Sequence, residues 1–173
     1  MIELLAIRVA DLEFALELAT VKEVIRPPAS VRVPNLPGFV AAVINFRNVA
    51  IPVIDLGARF QAKSSFPQGM NDVNASTPRS TPRSTPRTTN RLVICAVGPK
   101  VVAFAVDEAS EIIRVPAEKV LPAGDVGLKT VVAGVVPWRE RLLVWLDVQG
   151  LLSSEEKIGL DSFRMRTEDL GNG

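Results

Sequence analysis

The 173-residue chain contains no histidine and a single cysteine, Cys95. Without histidine it lacks the commonest general base and metal ligand, and with them every Ser-His-Asp or Cys-His arrangement. One cysteine cannot form an intrachain disulfide, which suits a reducing compartment, and alone it cannot build a zinc site of the usual kind. No GxGxxG or GxxxxGK(S/T) loop is present to cradle phosphates. No apolar run approaches the ~18 residues needed to span a bilayer. The stretch from Met1 to Phe14 has no basic leader segment and soon alternates, so no signal peptide is expected. Net charge is only +1, so no global field points to nucleic acid or an acidic substrate. An enzyme is thus the weaker class, and no cofactor or metal is expected. Carboxylate pairs stay open, but no spacing singles one out.

What the chain does contain is strand. Its 47% hydrophobic and 23% charged residues are the balance of a soluble globular protein. Leu5, Ile7 and Val9 alternate with smaller or polar residues, and Leu12 to Leu18 does the same beyond an Ala10-Asp11 turn. Val40 to Phe46 and Val49 to Ile54 form a second hairpin around Arg47-Asn48. Leu92 to Val97 and Val101 to Val106 form a third around Gly98-Pro99-Lys100. Thr130 to Val136 and Arg141 to Leu146 form a fourth around Pro137-Trp138-Arg139-Glu140. Many short strands with regular turns predict a mainly β fold of small barrels or sandwiches. Pro52, inside an apolar run, predicts an edge strand. Helix is sparse: a short crossing over Leu18 to Val24, and a tail helix over 153–166 opened by the capping box Ser153 and Glu156.

The pattern is used twice. Phe14 to Val31 (FALELATVKEVIRPPASV) resembles Phe104 to Val120 (FAVDEASEIIRVPAEKV) with a gap of two residues. Each copy follows a hairpin and precedes another, and the later hairpins close on Asp55 and Asp147. Two similar subdomains follow, over about residues 10–60 and 92–150. Each is near the size at which an isolated core is marginal, so the halves are expected to pack closely or exchange a strand. Between them, residues 61–91 carry STPR three times, at Ser76, Ser80 and Ser84. Proline every fourth residue, with no apolar face, predicts a disordered or polyproline-like loop. It is basic through Lys63, Arg79, Arg83, Arg87 and Arg91 against Asp72. A solvated insertion and a basic arm for an acidic partner both remain open.

Three stretches carry a resemblance. VPNLPGFVAAVINFRNVAIPVIDL (Val33 to Leu56), VVAFAVDEASEII (Val101 to Ile113) and the tail LLSSEEKIGLDSF together resemble the CheW family of bacterial chemotaxis coupling proteins. The resemblance covers nearly the whole chain except the STPR insertion. It implies one CheW-like domain over 1–173, built of two SH3-like five-stranded β-barrels with few short helices and a C-terminal helix. It also implies a non-enzymatic adaptor without a cofactor. The groove between the barrels would bind the cytoplasmic tip of a methyl-accepting chemoreceptor. A barrel end would bind the regulatory domain of a CheA-type histidine kinase, and other CheW-like domains are further candidate partners. The location implied is cytoplasmic, at receptor arrays, with the membrane reached only through receptors.

Site residues follow from matched positions only. Arg47 occupies the arginine of the family's N-L-R-G turn, next to Asn48, with Ile44 and Asn45 on the same strand end. Val21, Glu23 and Val24 match the V-x-E-(I/V) segment that lines the receptor groove in that family. A helix packed between barrels wants an apolar floor, here Val21, Val24 and Ile44, and rim charges that set register. Plain core packing is the competing reading for those three, as a solvated turn charge is for Arg47. Family glycines are replaced by Asn48, Ala15, Ala42 and Ala103. Asparagine tolerates positive φ, so Asn48 keeps a two-residue turn; the alanine methyls are expected to narrow the groove or shift the hairpins. The resulting functional reading is a coupling adaptor. The alternatives are a divergent interaction domain that keeps one partner, or one that binds another cytosolic partner through its basic insertion.

Overall fold

The computed structural model describes residues 1–28, 37–60, 90–123, 131–153 and 155–160. The STPR repeats and the tail beyond Leu160 lie outside the described residues. The strands are β1 (Ile2–Val9), β2 (Leu12–Glu17), β3 (Val21–Ile25), β4 (Ala42–Phe46) and β5 (Val49–Asp55), then β6 (Arg91–Val97), β7 (Lys100–Val106), β8 (Glu108–Val115), β9 (Val132–Trp138) and β10 (Arg141–Leu146). A helical turn, α1 (Leu56–Arg59), follows β5. The fold is mainly β, with two five-stranded SH3-like subdomains: sheet A, in the order β8-β1-β2-β10-β9, and sheet B, in the order β3-β6-β7-β5-β4. Among the described residues no helix is long and apolar enough to cross a membrane.

The two orders are the same topology written twice, with β3, β4, β5, β6 and β7 of sheet B answering to β8, β9, β10, β1 and β2 of sheet A. In each sheet one parallel pair joins two antiparallel groups: β10 with β2 and β5 with β7. The sheets cut across the sequence halves. The hairpin β1–β2 completes the sheet of β8, β9 and β10, while β6–β7 completes that of β3, β4 and β5. Boundaries at residues 10–60 and 92–150 therefore do not separate the sheets. The repeated motif from Phe14 and Phe104 is the crossover itself, carrying the chain from β2 into β3 and from β7 into β8.

Packing explains why the exchange holds. Leu4 and Ala6 of β1 face a small core with Ala15, Ile113, Val136 and Leu143 inside sheet A. Leu5, Ile7 and Val9, alternate to them, enter a larger core shared by both sheets. In β7, Ala103 and Ala105 line the sheet B interior beside Ile44 and Ile94. Val102, Phe104 and Val106 point the other way, into the shared core with Leu16, Ile54 and Leu146. Central strands are thus buried on both faces and read as continuous apolar runs. In β2 and β7 the large residues fill the space between the sheets, while alanines fit the interiors. Ala15, Ala42 and Ala103 belong to those interiors. Their methyls are core contacts and do not narrow a groove between the sheets.

Three sequence expectations are corrected. The crossing over Leu18 to Val24 is only a 3-10 turn, Leu18–Thr20, after which Val21–Ile25 is strand. Its β-branched Val21, Val24 and Ile25 favour the pleated surface beside β6. Pro52 is not on an edge strand, because β5 lies between β7 and β4. The parallel ladder with β7 begins only at Val53, so β5 is unpaired on that side where Pro52 sits. The fourth turn is Arg139-Glu140, with Pro137 and Trp138 still in β9.

Local caps finish the elements. Asp55 accepts from the Ala58 amide at 3.1 Å to cap α1, and Asp147 accepts from the Gln149 amide at 2.9 Å to start the next turn. Buried Asp107 accepts from the Ala10 amide at 2.5 Å and so ties the end of β7 to the β1–β2 turn, where Ala10 has φ 54°. The capping box is reciprocal: Ser153 N donates to Glu156 at 2.9 Å, and Glu156 N donates to Ser153 Oγ at 3.2 Å. It opens a helix over residues 155–160 that lays Leu160 onto the shared core. Arg59 fixes that helix with two bonds to Glu156, of 2.6 and 2.5 Å.

Phe104→Ala is expected to cost about 3–5 kcal/mol, because the ring fills the shared core and neither sheet can collapse alone; chemical denaturation measures it. The Arg59 hydrogen bond, with help from Ser153, holds the Glu156 carboxyl below its ordinary 4.5 despite burial. A depressed carboxylate stabilises the fold above its unfolded value and loses that contribution as pH falls through the folded value. Glu156→Gln is therefore expected to destabilise by about 1–3 kcal/mol at pH 7. The gap to the unmodified protein should close progressively below pH 4.5; a gap that persists there refutes the assignment.

Candidate functional site

The tip of the β4–β5 hairpin is a two-residue turn, Arg47-Asn48, with φ 52° and 65°. Positive φ at both central residues defines the type I′ turn, whose twist matches the flanking strands. Asparagine is well suited to this region. The Asn48 amide also donates to Asn45 Oδ1 at 2.9 Å, so a side chain reinforces the bend. Arginine has no such preference. It is held by its neighbours instead: Arg47 Nη2 donates to Glu23 Oε2 at 2.6 Å, and its guanidinium lies 5.0 Å from the centroid of the Phe46 ring.

The Arg47–Glu23 pair has an architectural meaning. Glu23 lies on β3 and Arg47 follows β4, and these are the two outermost strands of sheet B. Only a sheet curled on itself brings those edges together, so the pair bridges the mouth of the barrel. With Arg47 75% exposed, the pair adds at most ~1 kcal/mol to stability. Its main effect is to orient a charged, largely exposed guanidinium at the barrel end.

The sequence-derived residues separate into three groups. Arg47, Glu23, Asn45 and Asn48 meet at this tip. Val24 is partly exposed beside them on β3, and Val49, just past the turn, is 55% exposed. Val21 packs against the shared core, and Ile44 is fully buried inside sheet B. Ile44 thus supports the tip from beneath and offers no contact surface. Val21 is part of the layer that joins the sheets.

The other sheet carries the same device, which residue-by-residue matching did not reveal. The β9–β10 turn has Arg139 and Glu140 at φ 45° and 64°. Arg139 lies 5.1 Å from the centroid of the Trp138 ring and donates to Glu111 of β8 at 3.2 Å. β8 and β9 are the outermost strands of sheet A, so this pair also spans a barrel mouth. A backbone bridge adds to the closure: Leu121 and Val135 exchange bonds of 2.8 and 2.9 Å. Gly134 permits this approach, since a Cβ there would lie 2.8 Å from Val120 Cγ1. Ile112 and Leu142, flanking the tip, are 55% and 59% exposed. The signal was present in the repeat, which aligns Glu23 with Glu111, and in the aromatic-arginine pairs Phe46-Arg47 and Trp138-Arg139.

Two exposed tips of this kind can grip protein surfaces: a rigid arginine over an aromatic ring, a paired glutamate and a flanking aliphatic patch. Covalent chemistry finds no support at Cys95. Burial pushes its thiol up to about 12, so no thiolate forms near neutral pH.

Comparison with known proteins places this geometry in context. A profile of the CheW-like domain matches residues 3–156. The chain is 26% identical over 163 residues to the chemotaxis protein CheW of Klebsiella aerogenes, covering 92% of this chain and 87% of that one. It is also 26% identical over 158 residues to the chemotaxis protein CheW of Rhizobium meliloti, covering 90% of each. The crystal structure of the scaffolding protein TtCheW from Thermoanaerobacter tengcongensis superposes with a TM-score of 0.69 at 20% identity, covering 90% of each chain. That likeness concerns the fold.

The turn geometry is directly testable. Asn45→Ala removes the side-chain bond to the Asn48 amide and is expected to cost about 0.5–1.5 kcal/mol. The urea midpoint should shift with no change in slope. An unshifted midpoint would show that Asn48 alone holds the turn.

Proposed function

The chain belongs to the CheW-like domain family, and from this premise we propose that it is a non-enzymatic adaptor coupling chemoreceptor cytoplasmic tips to a CheA-type histidine kinase. The observation that carries this reading is the pair of arginine tips, each paired with a glutamate from the opposite edge, at the ends of the two barrels. An adaptor must present separate surfaces in a fixed mutual orientation. Two barrels joined by a common core do this without a moving part. Arg47, Glu23, Asn45 and Asn48 form one contact edge, with Val24 as its apolar neighbour, Ile44 beneath it inside sheet B and Val21 in the layer that joins the sheets. Work of this kind needs no acid, base or cofactor, because its free energy comes from buried apolar area and oriented charge. Such an adaptor acts in the cytoplasm, at receptor arrays, and reaches the membrane through the receptor.

Reversing the charge at the tip tests the assignment. Arg47→Glu sets two carboxylates against each other at Glu23 and removes the cation above Phe46. Capture of a receptor tip fragment or a kinase regulatory domain is expected to weaken by about tenfold or more, as for lost interfacial charge pairs. The circular dichroism spectrum should stay unchanged. Arg139→Glu, assayed against the same two partners, reports the second barrel end. Failure of the unmodified chain to bind either partner overturns the reading; undiminished binding by Arg47→Glu moves the contact away from this tip.

A further inference from the structure

We propose that this chain is a self-complementing pair of half-chains: residues 1–60 and 90–160 hold one another without the covalent connection, and a second copy of the chain can supply either half. The reciprocal exchange of hairpins carries the inference. Each sheet takes two strands from one half and three from the other. The ladders are shared in a telling way: β3 pairs only with β6, and β8 only with β1, among the described strands. Without its counterpart, each half therefore loses every ladder bond of one strand and exposes the faces that carry Leu16 or Phe104. Neither half can satisfy its backbone or bury its core alone.

The partner is consequently the complementary half of an identical chain. Because every ladder among the ten described strands joins residues of 1–60 or 90–160, β1–β5 of one copy and β6–β10 of another make the same ladders as one chain does. The tie between halves enters only as a local concentration of one half around the other. A single chain closes on itself below that concentration, and copies interchange halves when it is exceeded or when the connection is cut.

The test keeps the full chain. A recognition sequence for a specific protease is inserted after Arg83, and the folded protein is then cut. Both fragments are expected to remain in one particle of uncut mass by native mass spectrometry. The Tm of the cut protein should fall on roughly 100-fold dilution while that of the uncut protein stays constant, the signature of a fold maintained by association. Isotopically light and heavy cut samples, mixed, melted and cooled, should yield particles of mixed mass. Separation or precipitation of the fragments overturns the proposal. So does a Tm insensitive to dilution, which would mean that one half stays folded alone, or the absence of mixed particles.

Discussion

The shared core between the two sheets is the constraint on which the rest of the molecule depends. Each five-stranded sheet has an interior lined by alanines and medium aliphatics, too small to stabilise it alone. The outer faces of β1, β2 and β7 carry their larger residues, and with Val93, Cys95 and Val97 of β6 those faces meet in one layer around Phe104. Hydrophobic burial is non-directional, so it does not by itself dictate which hairpin joins which sheet. The three-residue crossover Leu18–Thr20 between β2 and β3 makes that choice. It sends the chain directly from sheet A into sheet B.

From that layer the functional geometry follows outward. The shared core sets the mutual orientation of the barrels, and each barrel's curl brings its two outermost strands to its mouth. There the arginine of a type I′ turn meets a glutamate from the opposite edge, once as Arg47 with Glu23 and once as Arg139 with Glu111. The two tips are not chemically equal. Asn45 and Asn48 support the first by hydrogen bonding and conformational preference, whereas the second places a glutamate, Glu140, at φ 64°, with no counterpart of the Asn45 bond among the described residues. Duplication with divergence gives the chain two related but distinguishable barrel-end tips.

The carboxylates show how local chemistry and global assembly divide the work. Asp55, Asp107 and Asp147 close turns and caps, and Glu156 joins the terminal helix to Arg59. A motif aspartate in an apolar strand therefore reads as punctuation in this fold, because a short acceptor at a strand end satisfies amides the ladder leaves open. The glutamates at the barrel mouths differ in using longer side chains to reach across the sheet.

Much was legible in sequence because it is local. Alternating apolar residues marked the hairpins, Arg47-Asn48 marked a tight turn, Ser153 and Glu156 marked a helix start, and the Phe14 and Phe104 segments marked a duplication. Short-range sterics and hydrogen bonding govern each of these, so neighbouring residues suffice to determine them. Val21–Ile25 escaped as a strand because five residues, Val-Lys-Glu-Val-Ile, after a tight turn have no distinctive period of their own. The burial of Ile44, the interior position of Pro52, the pairing of Arg139 with Glu111 and the exchange of hairpins belong to tertiary structure. They depend on which strands become neighbours across the chain, and that is decided by the short crossover that sends the chain between sheets together with the packing of two faces into one core, neither of which a residue's immediate surroundings reveal.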